Sequence, residues 1–128
     1  MHRFGIFALW LGGLGFLGFG TAFLLAPLQT FALAGLDLQG AVAATEVMAF
    51  YGGLEIALGG LLVACAMRSA RRADGLLLMA TAYGGIGLAR LIGMLANGAD
   101  SSFLRIALGL ELGLAALAIA VLLSTRRR

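Results

Sequence analysis

The sequence predicts an all-α integral membrane protein, a single four-helix bundle over residues 1–128 with both termini cytoplasmic. Three observations carry that expectation. Of the 128 residues, 62% are hydrophobic and 12% charged, with a mean hydropathy of +1.04, which no ordinary soluble domain shows. Apolar stretches recur at about the 20-residue length that a helix needs to cross a ~30 Å hydrocarbon core. The arginines gather on alternate connections between those stretches, as the positive-inside rule requires.

The elements follow in order. The first crossing is expected over about residues 4–26 and stops at Pro27, whose ring cannot continue a helix. Residues 27–44, "PLQTFALAGLDLQGAVAA", form the long outer loop, still rich in Leu and Ala, and are expected to lie partly as a short interfacial helix. The second crossing covers about 45–67 and ends before "RSARRAD"; the third covers about 75–96; the "NGADSS" turn leads to the fourth, about 103–124, and "RRR" closes the chain. Short connections make the second and third, and the third and fourth, antiparallel neighbours. Arg3, Arg68, Arg71, Arg72 and Arg126 to Arg128 fall on one side of this layout and Asp37 and Asp100 on the other, with Arg105 against the trend. That distribution places both termini and the arginine-rich turn in the cytoplasm, in a multi-pass membrane protein. "ALA" at 32–34 is similar to a signal-peptidase site, but the apolar run before it is too long for a signal core, so the first helix is expected to be retained.

Composition also excludes functions. The net charge of +3 comes from arginines at helix ends, where it sets orientation and does not imply nucleic acid as a partner. A lone Cys65 leaves no disulfide, CxxC pair or thiolate metal site within one chain, and the lone His2 stands beside the first Met. No metal-ligand cluster, nucleophile paired with a base, or cofactor motif is visible, so no enzyme activity, catalytic residue, metal or cofactor is expected. Twenty glycines are present, and Gly52 with Gly59 and Gly53 with Gly60 each place two small residues on one helical face. In lipid such faces let backbones approach closely, within the bundle, against a second copy or against a larger membrane complex.

The candidate site comes from the charged residues inside the crossings. Glu55, Arg90 and Glu111 each carry an insertion cost of roughly 2.5–3.5 kcal/mol near mid-membrane, so they are expected to face the interior and find partners. At a rise of about 1.5 Å per residue, Glu55 and Glu111 lie roughly 12–15 Å below the outer edge, and Arg90 about 9 Å. A guanidinium between two carboxylates suits bidentate pairing where water is scarce. Tyr83, Arg90 and Asn97 recur every seven residues and share a face, and Tyr51 lies one turn before Glu55. Glu46 and Arg105, near the outer ends of their helices, form a candidate upper polar layer or meet headgroups. The pattern admits a buried clip that fixes helix register, a ligand pocket or ion path opening outward, and a contact with a partner subunit. "GLEIAL" at 53–58 and "GLELGL" at 109–114 hint at duplicated hairpins, each with one Glu.

Taken together, "ATEVMAFYGGLEIALGG", "ARLIGMLANG" and "LELGLAAL" resemble the uncharacterised bacterial membrane family called domain of unknown function 4345, over nearly the whole chain. The family pattern maps onto Glu46, Tyr51 to Gly53, Arg90, Gly98 and Glu111; a basic residue often expected near Met48 is missing here. The resemblance implies a compact four-helix bundle and no established activity. DoxX-like proteins are similar in size and helix count, which suggests a distant kinship. Small multidrug exporters use a Glu in the first helix, where this chain has no acid, and fluoride channels place a pattern similar to "GGIGLAR" in the first helix and not the third. The leading expectation is a binding or accessory protein whose polar centre takes a lipid-like or quinone-like ligand, with membrane lipid as its other partner. A proton-coupled small-molecule transporter and a structural subunit of a larger complex are the competing readings.

Overall fold

The structure is a computed structural model that describes residues 2–126; Met1, Arg127 and Arg128 lie outside the described residues, so the last two arginines of "RRR" are not placed. The architecture is all-α, with no strand among the described residues. Helix α1 spans His2–Leu25. It breaks at Ala26, and α2 (Pro27–Leu33) starts on the proline, whose fixed φ suits a first helical turn. The Thr30 hydroxyl donates to the carbonyls of Ala26 and Ala22 at 2.7 and 3.2 Å, alongside the backbone N–H groups that those carbonyls already accept across the break. Gly35 and Gly40, at φ +82° and +92°, turn the chain into α3 (Ala41–Met67). This helix widens into one π-helical stretch at Met48–Gly53 before resuming α geometry.

Arg68 adopts an extended conformation and ends α3; the Arg72 Nε donates to the Ala66 carbonyl at 3.2 Å, closing the helix end. After a 3-10 turn at Ser69–Arg71, α4 (Arg72–Asn97) runs to Gly98, whose left-handed φ of +61° stops it. Helix α5 (Ser102–Arg126) is capped by Ser101, whose Oγ accepts from the Leu104 N–H at 3.2 Å.

Four of these helical runs are long and apolar enough to cross a membrane, and α2 is a short fifth helix within residues 27–44, where a short helix is expected. The expected outer loop 27–44 is corrected: α3 begins at Ala41, because the break falls at Gly40 and the "AVAAT" that follows is helix-forming. The boundaries of the other crossings shift by a few residues, which is the usual uncertainty of helix ends.

Two antiparallel pairs make the bundle, α1 with α3 and α4 with α5. The α1–α3 seam is nearly backbone against backbone. A Cβ on Gly59 would come 2.7 Å from the Gly13 carbonyl oxygen, and one on Gly20 would come 2.9 Å from that of Gly52. Gly13 and Gly20 on one helix therefore face Gly59 and Gly52 on the other. Gly60 meets nothing within 4 Å, so of the two predicted glycine faces on this helix only the Gly52–Gly59 face lies against α1. A main core, centred on Leu9, Leu62 and Met79, fills the half of the bundle nearer the arginine-rich turn. A smaller apolar cluster of Phe23, Phe31 and Val47 lies under α2 at the other end.

Candidate functional site

The charged centre lies between those two apolar clusters. Arg90 on α4 donates through Nε to one Glu111 oxygen at 2.8 Å and through Nη2 to the other at 2.6 Å. This side-on, two-bond geometry is the strongest that a guanidinium and a carboxylate make. It depends on close approach of the two helices. A Cβ on Gly87, one turn before Arg90, would fall 2.8 Å from Leu112 Cδ2 and 3.2 Å from Glu111 Cβ. The two side chains remain 25% and 12% exposed, so the pair is shielded but not fully enclosed.

Glu55 does not join this pair as a third hydrogen-bonded member. Its Oε2 is buried and has no hydrogen-bond partner, although its carboxyl group lies close enough to Glu111 to feel its charge. Glu111 takes the guanidinium through Nε and Nη2, and none of the remaining N–H groups bonds to Glu55. The expected triad is thus a bidentate pair plus an adjacent, unpartnered acid.

Tyr83, one of the predicted stripe residues, is buried. Its hydroxyl donates to the Gly12 carbonyl on α1 at 2.7 Å, and its ring stacks on Phe16 with centroids 4.2 Å apart. Gly15 makes room for it, since a Cβ there would stand 2.8 Å from the Tyr83 oxygen. Asn97, two turns beyond Arg90, is the exposed last residue of α4 and stands outside the centre. Tyr51 sits inside the π stretch, where the regular four-residue stacking with Glu55 no longer holds. Its ring instead packs on Phe23 and Phe31, with centroids 5.3 and 4.8 Å away, within electrostatic reach of Arg90.

The proposed upper layer does not form between Glu46 and Arg105. Arg105 pairs with Asp100 at 3.1 Å on the surface, five residues back across the helix start, while Glu46 is exposed. Sequence reasoning missed the Phe23–Phe31–Tyr51 cluster and the Tyr83–Gly12 bond. The only signals for them were aromatic residues and glycines at matching depths on different helices. No group of three metal-ligating side chains occurs among the described residues. An apolar groove of about 460 Å³ between α4 and α5, lined by Ala80, Gly84, Leu88, Leu112, Ala115 and Ile119 among others, includes none of the three charged residues.

Apolar spanning-length helices around a partly shielded charge centre define a multi-pass helical protein of membrane type. The chain belongs to the family described as Domain of unknown function (DUF4345), whose model matches residues 6–122. No curated protein and no solved structure matches it.

Proposed function

We propose that this is a binding or accessory protein of a bacterial inner membrane, with both termini and the arginine-rich turn cytoplasmic, whose Glu55, Arg90 and Glu111 hold the polar end of a lipid-like or quinone-like molecule. One observation carries the reading. Glu55 presents a buried oxygen without a donor beside an Arg–Glu pair that is only partly covered. Buried polar atoms are almost always satisfied, and a charge centre used purely as a helix clip would be expected to close on itself. The α2 end, through which a molecule from the outer leaflet would reach this centre, exposes Leu25, Leu33 and Val42 to the surroundings, as a surface lying in acyl chains would. No catalytic step belongs to this reading.

Organic extraction of the purified protein followed by mass spectrometry tests it. The wild type should retain an amphiphile in near-stoichiometric amount, and the double variant Glu55→Gln/Arg90→Ala should lose it; identical extracts from both would end the proposal. The transport reading draws on the same Glu55 oxygen and on the π stretch just before it, a feature common at functional sites. Substrate-driven proton flux in proteoliposomes that disappears in Glu55→Gln would favour transport over binding. The subunit reading draws on Gly60, whose face is open, and expects a second, larger chain to copurify.

A further inference from the structure

We propose that the molecule held at the charged centre carries a protonated amino group on an apolar chain, and that Glu55 is the side chain that receives it. The inference rests on the amphiphile-binding reading above and specifies its ligand.

It begins with a donor and acceptor census. Arg90 spends Nε and Nη2 on the two oxygens of Glu111, so that pair is neutral as a unit and both Glu111 oxygens are served. Glu55 is the surplus: one more carboxyl group, its Oε2 buried and without any donor. Arg90 keeps three further N–H groups, on Nη1 and Nη2, but none bonds to Glu55, so Glu55 lacks a donor, and with both acids ionised the centre is short of one positive charge.

Ligand classes differ in what they bring to such a place. A quinone carbonyl, a carboxylate or a phosphate brings acceptors. Each could take the N–H groups that Arg90 has left but would bring no donor to Glu55, at the cost that an unpaired buried polar group carries. An ammonium brings three donors and the missing charge. The other cationic side chain near this end of the helices, Arg105, is held at the surface by Asp100 and does not compete for Glu55.

The aromatic residues point the same way. Phe23, Phe31 and Tyr51 stand with ring centroids 4.8–5.3 Å apart, on the α2 side of Glu55, and Tyr51 is 45% exposed. Aromatic faces attract cations; Tyr51, the exposed member of the cluster, would draw an ammonium inward while repelling an anionic headgroup, with Phe23 and Phe31 buried behind it. An apolar chain attached to that ammonium would remain among the exposed leucines and phenylalanines of the helix surfaces.

The same chemistry has two sources, a free lipophilic amine and the headgroup of an aminophospholipid. Protein in phosphatidylcholine nanodiscs is titrated with n-dodecylamine, decylubiquinone and dodecyl phosphate, reading the thermal unfolding midpoint and competition against a diazirine-bearing alkylamine. The expected result is that dodecylamine raises the midpoint of the wild type, that Glu55→Gln weakens amine binding about tenfold or more, and that Glu55→Asp stays within about threefold. Photolabelling of the wild type should fall on the peptide around residues 49–58, a readout that needs no variant to fold. Phosphatidylethanolamine in the nanodisc should blunt the amine response if the lipid is the source, and leave it unchanged if a free amine is; either supports the proposal. If decylubiquinone or dodecyl phosphate binds in an Arg90-dependent way and the amine does not, the ligand class is overturned while amphiphile binding stands. If no probe responds to Glu55 or Arg90, or labelling scatters over the apolar surface, both readings fall.

Discussion

The two helix pairs are held by different physics. Along α1–α3 the backbones almost touch at Gly13, Gly20, Gly52 and Gly59, and no ion pair joins these helices among the described residues. Between α4 and α5 a directional pair, Arg90 with Glu111, accompanies the close approach at Gly87. Dispersion over a glycine seam fixes a distance but tolerates sliding; a side-on ion pair fixes rotation and register. The candidate site is where the two meet. Glu55 belongs to the glycine-packed pair yet lies next to the ion-paired one, and the Tyr83 hydroxyl reaches from α4 back to Gly12 of α1.

The comparison breaks most sharply at the glycine seam. Gly59→Leu would drive a side chain into the Gly13 carbonyl and the Leu17 backbone, where even a Cβ would sit at 2.7–2.8 Å. We expect a loss of about 3 kcal/mol or more in denaturant titrations in mixed micelles. Gly60→Leu, one residue along on an open face, should stay within about 0.5 kcal/mol. Equal outcomes at the two positions would mean that contact across the α1–α3 seam does not govern its stability. On the other pair, Glu111→Ala takes away both of the guanidinium's hydrogen-bond acceptors and leaves it only the neighbouring Glu55. A fully buried partner would make that cost 3–5 kcal/mol; because Arg90 is 25% exposed and its long side chain can turn toward water, about 2 kcal/mol is expected. Tyr83→Phe removes a buried side-chain hydrogen bond that ties the pairs together but keeps the stack on Phe16. Its cost should be about 1 kcal/mol, read in the same titration.

Most of the fold was legible because bilayer thickness and backbone satisfaction leave few choices: four apolar runs, their turns and the alternating arginines are properties of composition along the chain. The Arg90–Glu111 pair was legible in part, since depth along a helix follows from counting. What counting could not reach was rotation. The π stretch at Met48–Gly53 adds a residue to a turn, so the relation between Tyr51 and Glu55 departs from the regular helical wheel. Which carboxylate takes the guanidinium depends on how closely Gly87 lets α5 approach, a tertiary fact with no local signature. Asp100, read only as a marker of the outer side, became the partner of Arg105 because the turn after Gly98 folds it back toward the start of α5.

The smallest expected effect sharpens the comparison through two ion pairs of the same chemistry. Arg105 meets Asp100 through one bond at 3.1 Å, with side chains 62% and 63% exposed; Arg90 meets Glu111 through two bonds in a shielded setting. At the surface, water and salt screen the charges, and two long side chains lose freedom to hold one contact. A double-mutant cycle on Arg105 and Asp100 should therefore give a coupling below about 0.5 kcal/mol, fading further at high salt. The same cycle on Arg90 and Glu111 should give about 1–2 kcal/mol and be insensitive to salt. Near-equal couplings would show that water reaches the inner pair as freely as the outer one. In that case Glu55 beside it would be hydrated as well, and its lack of a protein donor would no longer point to a ligand.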